Sequence, residues 1–230
     1  MSDLQRDPST HTVSRPDFDR MIEWEVEQSR ASRRAFTLAL LDLDRFSELA
    51  ANLGEEASEL LLRKIAATLR AHSREGDVLG RGDGDQLLLL LPATPPEQGL
   101  FIVEDVRRLL AQSTFKLRAG GASHTAKCTV SAGLASYPKD GASRDELTWK
   151  AEAALWQAKE SGRNKVCLAV DEKMVLKSNY YPRSQLDRLA ALAKALGRTE
   201  ASLLREALTE QLRRHERELK GHASKKRDPA

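Results

Sequence analysis

The chain has 230 residues, enough for one or two domains with a buried core, and its 37 basic and 34 acidic side chains leave a net charge of +3. A charged fraction of 31% argues against a membrane protein, and the N-terminus lacks the basic-then-apolar pattern of a signal peptide, so we expect a cytoplasmic protein. Cys128 and Cys167 are too few for a disulfide framework and lack metal-ligand spacing, which predicts buried free thiols.

Helical and strand patterns alternate over the first 170 residues. Apolar residues recur every three to four positions, which predicts helices, over 18–30, over 55–71, after Pro95 and over 146–160. Apolar runs predict strands over 35–43, 126–137 and 165–170, and a hairpin over 77–91 that turns at 82–85. This alternation predicts one α/β domain.

The C-terminal part differs in charge and in pattern. From Lys173 to the end there are 14 basic and 7 acidic side chains, which favours an anionic partner such as nucleic acid over a merely solvated tail. A short extended run ends at Pro182 and is followed by two helical patterns, separated by Gly197 and Thr199. We therefore predict a linker at 171–173, a small domain at 174–216 and a charged, disordered tail at 217–230.

The first 170 residues resemble the GGDEF domain of diguanylate cyclases, which condense two GTP into cyclic di-GMP. The matching motifs run in order along the chain, at 7–10, 40–46, 129–135, 154–159 and 162–164. The resemblance implies an α/β (α+β) domain at 1–170, with a central, mostly antiparallel sheet flanked by helices.

The family signature falls on positions 83–87, which read Asp-Gly-Asp-Gln-Leu. Gln86 replaces a carboxylate, Asp83 replaces a glycine beside an anionic substrate, and a base-reading asparagine of the family falls on Ala50. The resemblance thus implies a vestigial nucleotide and metal site whose members are Asp42, Glu59, Asp85, Lys159 and Arg163. We expect no catalytic residues, no enzyme activity and no required cofactor or metal. One alternative is a weakly active cyclase that uses Mg²⁺ with GTP. The other is that Asp42 and Asp85 are relics of the fold without a function.

A second motif of the family, RxxD, appears as Arg74-Glu75-Gly76-Asp77 at the family's distance from the signature. In the family this motif binds cyclic di-GMP. Arginine can donate two parallel hydrogen bonds to guanine or to phosphate, and aspartate can accept from the guanine edge. The resemblance therefore implies a ligand site at Arg74 and Asp77. A further family arginine falls on Asp105, so Arg107 is the expected substitute. The alternative is an exposed charge pair at a helix end.

Residues 174–216 resemble a ribbon-helix-helix DNA-binding domain. Such domains are dimers in which paired strands enter the major groove and helix N-termini hold phosphates. The resemblance implies DNA contacts by Arg198 and Thr199. Strand register leaves two alternatives open, Lys177 with Asn179 or Ser178 with Tyr180, and the first pair suits base edges better. Lys177, Asn179 and Tyr180 are therefore the candidate strand contacts.

Together these resemblances predict a transcriptional regulator that responds to cyclic di-GMP and binds double-stranded DNA as a homodimer, without a membrane partner. Two alternatives remain. One is a weakly active diguanylate cyclase whose C-terminal part dimerises it. The other is a DNA-binding protein whose GGDEF domain serves only as a dimerisation or GTP-binding scaffold.

Overall fold

A computed structural model describes residues 4–169 and 180–196 and, in part, 200–215. The chain divides into two units, Met1–Glu172 and Lys173–Ala230. In the first unit a five-stranded sheet has the order β2-β3-β1-β6-β7, and a separate hairpin pairs β4 with β5. The strands are β1 (Phe36–Leu43), β2 (Val78–Arg81), β3 (Gln86–Leu91), β4 (Phe115–Ala119), β5 (Ala122–Ala126), β6 (Val130–Tyr137) and β7 (Val166–Leu168).

The sheet is mixed, because β6 and β7 run parallel while the other neighbours run antiparallel. Helices cover both of its faces. They are α1 (Arg15–Ser32), α2 (Phe46–Leu53), α3 (Glu55–His72), α4 (Pro96–Gln112) and α5 (Arg144–Glu160). The predicted α/β domain with a mostly antiparallel sheet flanked by helices is therefore confirmed.

Strand β1 lies at the centre of the sheet and is buried on both faces, which explains why its sequence is apolar apart from Thr37 and Asp42. Phe36, Leu38 and Leu40 pack with α1 and α5, whereas Leu41 and Leu43 pack with α3 and α4. Successive side chains alternate between the two cores because a strand has a period of two residues.

Helix α5 comes unusually close to the sheet at Gly133 of β6. A Cβ atom at this position would lie 2.1 Å from the backbone oxygen of Ala151 and 2.1 Å from the nitrogen of Leu155. Only glycine permits this approach. The close packing fixes the C-terminal end of α5, which carries Lys159, relative to the end of β1.

The two candidate sites lie at opposite ends of the β2–β3 hairpin. At one end, Asp42 near the end of β1 pairs in register with Gln86 at the start of β3. At the other end, Val78 at the start of β2 pairs with Leu90, so Arg74 and Asp77 lie beside the end of β3. The turn at 82–85 and the RxxD motif are therefore separated by the length of the hairpin.

Two elements of the first unit were not predicted from the sequence. Helix α2 follows β1 directly, and the β4–β5 hairpin occupies 115–126. In the second unit the predicted first helix is present as α6 (Arg183–Leu196), while the extended run at 174–179 and Gly197 lie outside the described residues. Among the helices that the structure describes, none is long and apolar enough to cross a membrane.

Candidate functional site

A basic and an acidic side chain meet at the end of β1. Lys159 Nζ of α5 lies 2.6 Å from Asp42 Oδ1. The predicted vestigial residues Asp42 and Lys159 are thus together, with Asp85 close enough to interact with both electrostatically. Lys159 neutralises the charge of Asp42. A cation that binds Asp42, or a phosphate that binds Lys159, would replace this ion pair.

Asp85 lies in an environment that disfavours its charge. Burial, followed by the nearby negative charge of Asp42, raises its pKa, while Lys159 and Arg81 oppose that rise. Two carboxylates that repel each other are stabilised when a cation binds between them. The arrangement therefore suits a divalent cation, whose binding should weaken as the pH falls through the raised pKa of Asp85.

Gln86 of β3, the register partner of Asp42, carries a neutral amide. A Cβ atom built on Gly82 would lie 2.6 Å from Gln86 Oε1, so the Gln86 side chain folds over the start of the turn. Arg81 donates to the backbone oxygen of Gly84 and braces the turn from the other side. Asp42, Asp85 and Gln86 are all hard oxygen donors, as Mg²⁺ requires, and Mg²⁺ is often held by only one or two carboxylates together with substrate phosphates. Across the residues with described positions, no cluster of three or more acidic, histidine or cysteine side chains suits a metal.

Asp44 is a site residue whose role no local sequence pattern indicates. Its carboxylate accepts from the hydroxyls of Thr129 and Ser131, both at 2.6 Å, and from the backbone N–H of Asn164 at 3.0 Å. These bonds join the end of β1 to β6 and to the loop at 162–164. Arg163 and Asn164 have positive φ angles of 63° and 49°, a conformation that asparagine adopts more readily than arginine. Asp44 thus fixes the loop that presents Arg163.

Asp44→Ala is expected to destabilise the first unit by about 2–3 kcal/mol, because two hydroxyls and one N–H lose their acceptor. Urea denaturation measures this. Asp105→Ala is the control, since Asp105 is 79% exposed, and it should change stability by less than about 0.5 kcal/mol. An Asp44→Ala variant as stable as the control would contradict this role.

Arg163 itself is exposed and, within the described residues, forms no hydrogen bond or ion pair through its side chain. It lines a cavity of about 630 Å³ together with Asp44, Arg45 and Cys128. Burial, with the Asp44 charge, raises the pKa of Cys128 to about 11, so this thiol is protonated at neutral pH. Cys128 and Cys167 are free, and Cys128 is buried.

Glu59 of α3 lies apart from the hydrogen bonds of this cluster and contacts the N-terminal segment. Ser9 Oγ donates to Glu59 Oε2 at 2.5 Å. The segment is held by a bond from Arg70 to the backbone oxygen of Thr10 at 3.1 Å. The Ser9 hydroxyl thereby orients the carboxylate of Glu59, which the structure does not join to the other predicted members of the vestigial site by a hydrogen bond.

Arg74 and Asp77 form a closed hydrogen-bonded unit at the far end of the hairpin. Arg74 Nη2 donates to Asp77 Oδ1 at 2.9 Å, while Arg74 Nε and the Arg74 backbone N–H donate to Asp77 Oδ2 at 3.3 and 2.8 Å. The Asp77 side chain is only 3% exposed, whereas that of Arg74 is 43% exposed. Arg74 is therefore the member of the pair that a ligand reaches first.

Arg107 is engaged elsewhere. Its guanidinium donates to both carboxylate oxygens of Glu104, at 2.7 and 2.8 Å, and to Asn164 Oδ1 at 2.7 Å. The bond from Arg107 holds the pKa of Glu104 below its usual range. Thr94, which contacts Arg74, precedes α4, whereas Arg107 lies about 16 Å further along that helix. The structure thus does not group Arg107 with Arg74, and recruiting it to that ligand site would require breaking its present bonds.

The candidate DNA contacts lie almost wholly outside the described part of the chain. This holds for Lys177, Asn179, Arg198 and Thr199. Tyr180 is described and is fully exposed. Three leucines of α6, Leu186, Leu192 and Leu196, are between 40% and 53% exposed.

Most of the first unit matches a known family. The family described as "Diguanylate cyclase, GGDEF domain" matches residues 4–165. The bifunctional diguanylate cyclase/cyclic di-GMP phosphodiesterase MucR of Pseudomonas aeruginosa is 31% identical over 86% of this chain. Diguanylate cyclase DgcM of Escherichia coli is 32% identical over 71% of this chain. The chain spans only 27% and 38% of the lengths of these two relatives.

Solved structures share the fold of the first unit. The GGDEF domain of YfiN (TpbB) from Pseudomonas aeruginosa is 26% identical, with a TM-score of 0.67 over 72% of this chain and 95% of that one. The GGDEF domain of DgcB from Caulobacter crescentus, solved in complex with c-di-GMP, is 22% identical, with a TM-score of 0.67 over 74% of this chain and 95% of that one. At 22% identity, the similarity to the DgcB domain shows a shared fold and nothing more.

These comparisons correct one prediction. The expectation that the chain is not an enzyme is wrong, because the matching family is one of diguanylate cyclases and the relatives DgcM and DgcP are cyclases by name. Asp83 and Gln86 at signature positions, and Ala50 at the position of the family's base-reading asparagine, therefore do not exclude the chain from the diguanylate cyclase family. On the match over residues 4–165, this chain belongs to the GGDEF family.

Proposed function

We propose that the GGDEF domain of this chain binds cyclic di-GMP at Arg74 and Asp77. The observation that carries this proposal is the hydrogen-bonded Arg74–Asp77 unit, in which a buried carboxylate holds a half-exposed guanidinium at the protein surface. A guanidinium fixed in this way binds an anionic, guanine-bearing ligand with little loss of side-chain entropy. The DgcB domain, which has the same fold, was solved with c-di-GMP.

Calorimetric titration of the full chain with cyclic di-GMP tests this proposal. We expect saturable binding with a Kd of about 1 μM or below, corresponding to about −8 kcal/mol. Cyclic di-AMP is the matched control, because it has the same phosphodiester ring but lacks the guanine O6 acceptor and N1–H donor. Equal affinity for both nucleotides would show a nonspecific anion site, and no binding of cyclic di-GMP would contradict the proposal.

A second candidate function is the diguanylate cyclase reaction, and the cluster of Asp42, Asp85 and Lys159 favours it. In this reaction a 3′-hydroxyl attacks the α-phosphate of a second GTP and pyrophosphate leaves. Asp42 and Asp85 would hold Mg²⁺ with the amide oxygen of Gln86, and the ion would neutralise charge on the phosphates. Lys159 would exchange Asp42 for a phosphate oxygen, and the exposed Arg163 would bind the outer phosphates.

The second unit suits a dimeric DNA-binding role. Its segment from Lys173 onward is basic, and the leucines exposed on α6 form an apolar surface that a second copy of the chain would bury. On this proposal the chain is a homodimeric regulator in which cyclic di-GMP alters DNA binding. The ligand acts only if it binds one arrangement of the dimer better than another.

Gel-shift assays of the full chain, with and without cyclic di-GMP, test this role. Asn179→Ala and Tyr180→Ala distinguish the two strand registers, since only the residue that faces the groove should alter the sequence preference. We expect Asn179→Ala to weaken specific binding about tenfold while Tyr180→Ala leaves it nearly unchanged. DNA affinity that is the same with and without the ligand would contradict ligand control.

A further inference from the structure

Thr94 connects the Arg74–Asp77 unit to the interior of the sheet. Arg74 Nη2 donates to Thr94 Oγ1 at 2.7 Å, in addition to its bond with Asp77. Thr94 lies in the connection between β3 and α4 and is 0% exposed. It belongs to neither the signature nor the RxxD motif. The Arg74 guanidinium is therefore held by two acceptors on different segments of the chain.

These bonds determine which donors of Arg74 remain for a ligand. A guanidinium carries five N–H bonds. The Nε hydrogen and one Nη2 hydrogen point to Asp77, and the second Nη2 hydrogen points to Thr94. Within the described residues Nη1 has no hydrogen-bond partner. A ligand thus meets the two Nη1 hydrogens and the flat face of the guanidinium, which suit a phosphate oxygen or a guanine O6 together with base stacking.

Thr94 is itself rigidly held. Its hydroxyl donates to the backbone oxygen of Pro92 at 2.9 Å, and its backbone oxygen accepts from Thr37 Oγ1 at 2.9 Å. Thr37 on β1 is also bonded to Ser136 on β6, at 2.8 Å between the hydroxyl oxygens. Because Thr37 and Ser136 are both fully buried, Thr94 is anchored to the two central strands. An acceptor anchored in this way fixes the direction of the arginine that donates to it.

We infer that Thr94 is a positioning residue of the cyclic di-GMP site, which fixes the Arg74 guanidinium so that Nη1 faces the ligand. The inference rests on the proposed function. Thr94 acts through Arg74 and does not itself touch the ligand, since it has no exposed surface. Binding to a side chain that is already ordered avoids the entropy cost of immobilising it.

Thr94→Val tests the inference, because valine keeps the shape of threonine and removes the acceptor. We expect the Kd for cyclic di-GMP to rise about tenfold. Thr94→Ser keeps the hydroxyl and should restore wild-type affinity. Ser58→Ala is the matched control, because it removes a buried hydroxyl and its bond to the backbone oxygen of Gly54, near the start of α3 and far from Arg74. It should leave the Kd within about twofold of wild type.

The outcomes separate this inference from the function on which it rests. If the wild-type chain does not bind cyclic di-GMP, both are overturned. If the wild type binds and Thr94→Val binds equally well, only the role of Thr94 is overturned. An equal loss of affinity in Ser58→Ala and Thr94→Val would likewise overturn it, because a general loosening of the domain would then explain both. Loss in Thr94→Val with rescue in Thr94→Ser supports it.

Discussion

Arg74→Ala is expected to weaken cyclic di-GMP binding about 30-fold to 100-fold in calorimetric titrations, the largest effect of any single substitution in this site. The alanine removes every side-chain donor that the ligand meets, and it leaves the buried carboxylate of Asp77 without the guanidinium that neutralises it. The repulsion between that carboxylate and an anionic ligand adds to the loss.

Arg30→Ala is the control for the loss of a positive charge. Arg30 lies exposed near the end of α1 and forms one long bond, of 3.4 Å, to the backbone oxygen of Ala142. Its removal should leave the affinity within about twofold of wild type. If Arg74→Ala retained wild-type affinity in a chain that binds the ligand, the site would have to lie elsewhere.

Asp85→Asn is expected to lower cyclic di-GMP production from GTP and Mg²⁺ by at least about 100-fold, because one of two cation-binding carboxylates is lost. Product is measured by chromatography of the full-chain reaction. Gln86→Glu makes the opposite change, because it adds a carboxylate where Asp85→Asn removes one. It places a third carboxylate across from Asp42 and should raise the rate. A wild type that forms no product, or an Asp85→Asn variant with the wild-type rate, would contradict the cyclase candidate.

Asp85→Asn should also stabilise the folded domain. The folded-state pKa of Asp85 is raised, so the ionised group costs stability once the pH rises through that pKa. Asn carries no charge, so Asp85→Asn should have a higher Tm than wild type at neutral pH. As the pH falls and Asp85 becomes protonated, the difference should shrink. Thermal unfolding at several pH values measures it, and a Tm below that of wild type at neutral pH would contradict the assignment.

The sheet could be predicted from the sequence because its strands carry strong local signals. The run at 36–43 is apolar except for Thr37 and Asp42, which is typical of a strand buried on both faces, and the turn at 82–85 combines glycine with aspartate. Helix α2 has only eight residues. It begins after Arg45, whose backbone is in the left-handed region and whose side chain does not cap the helix. Such a start leaves no capping signature in the sequence.

The candidate site was predictable only in part, because some of its residues carry no local sequence signal. Asp42, Asp85, Arg74 and Asp77 stand at motif positions. Asp44 and Thr94 matter through bonds that span 85 and 20 residues of sequence, to Thr129 and Arg74. Side-chain bonds between distant segments follow from the packing of the sheet, which no local pattern encodes. Arg107 was predicted from its residue type and its place near the family arginine, but in the structure it is bonded to Glu104 and Asn164 instead of lying beside Arg74.

Spectroscopic mapping of the bound ligand tests the central claim most directly. In ¹H–¹⁵N spectra of the full chain, saturating cyclic di-GMP should shift the amides at 74–78 and that of Thr94, together with the side-chain Nε–H of Arg74. The amides at 42–44 and 82–86, at the opposite end of the β2–β3 hairpin, should remain unchanged when GTP and Mg²⁺ are absent. Shifts confined to 42–44 and 82–86 would place the ligand at the Asp42–Asp85 cluster and contradict a site at Arg74.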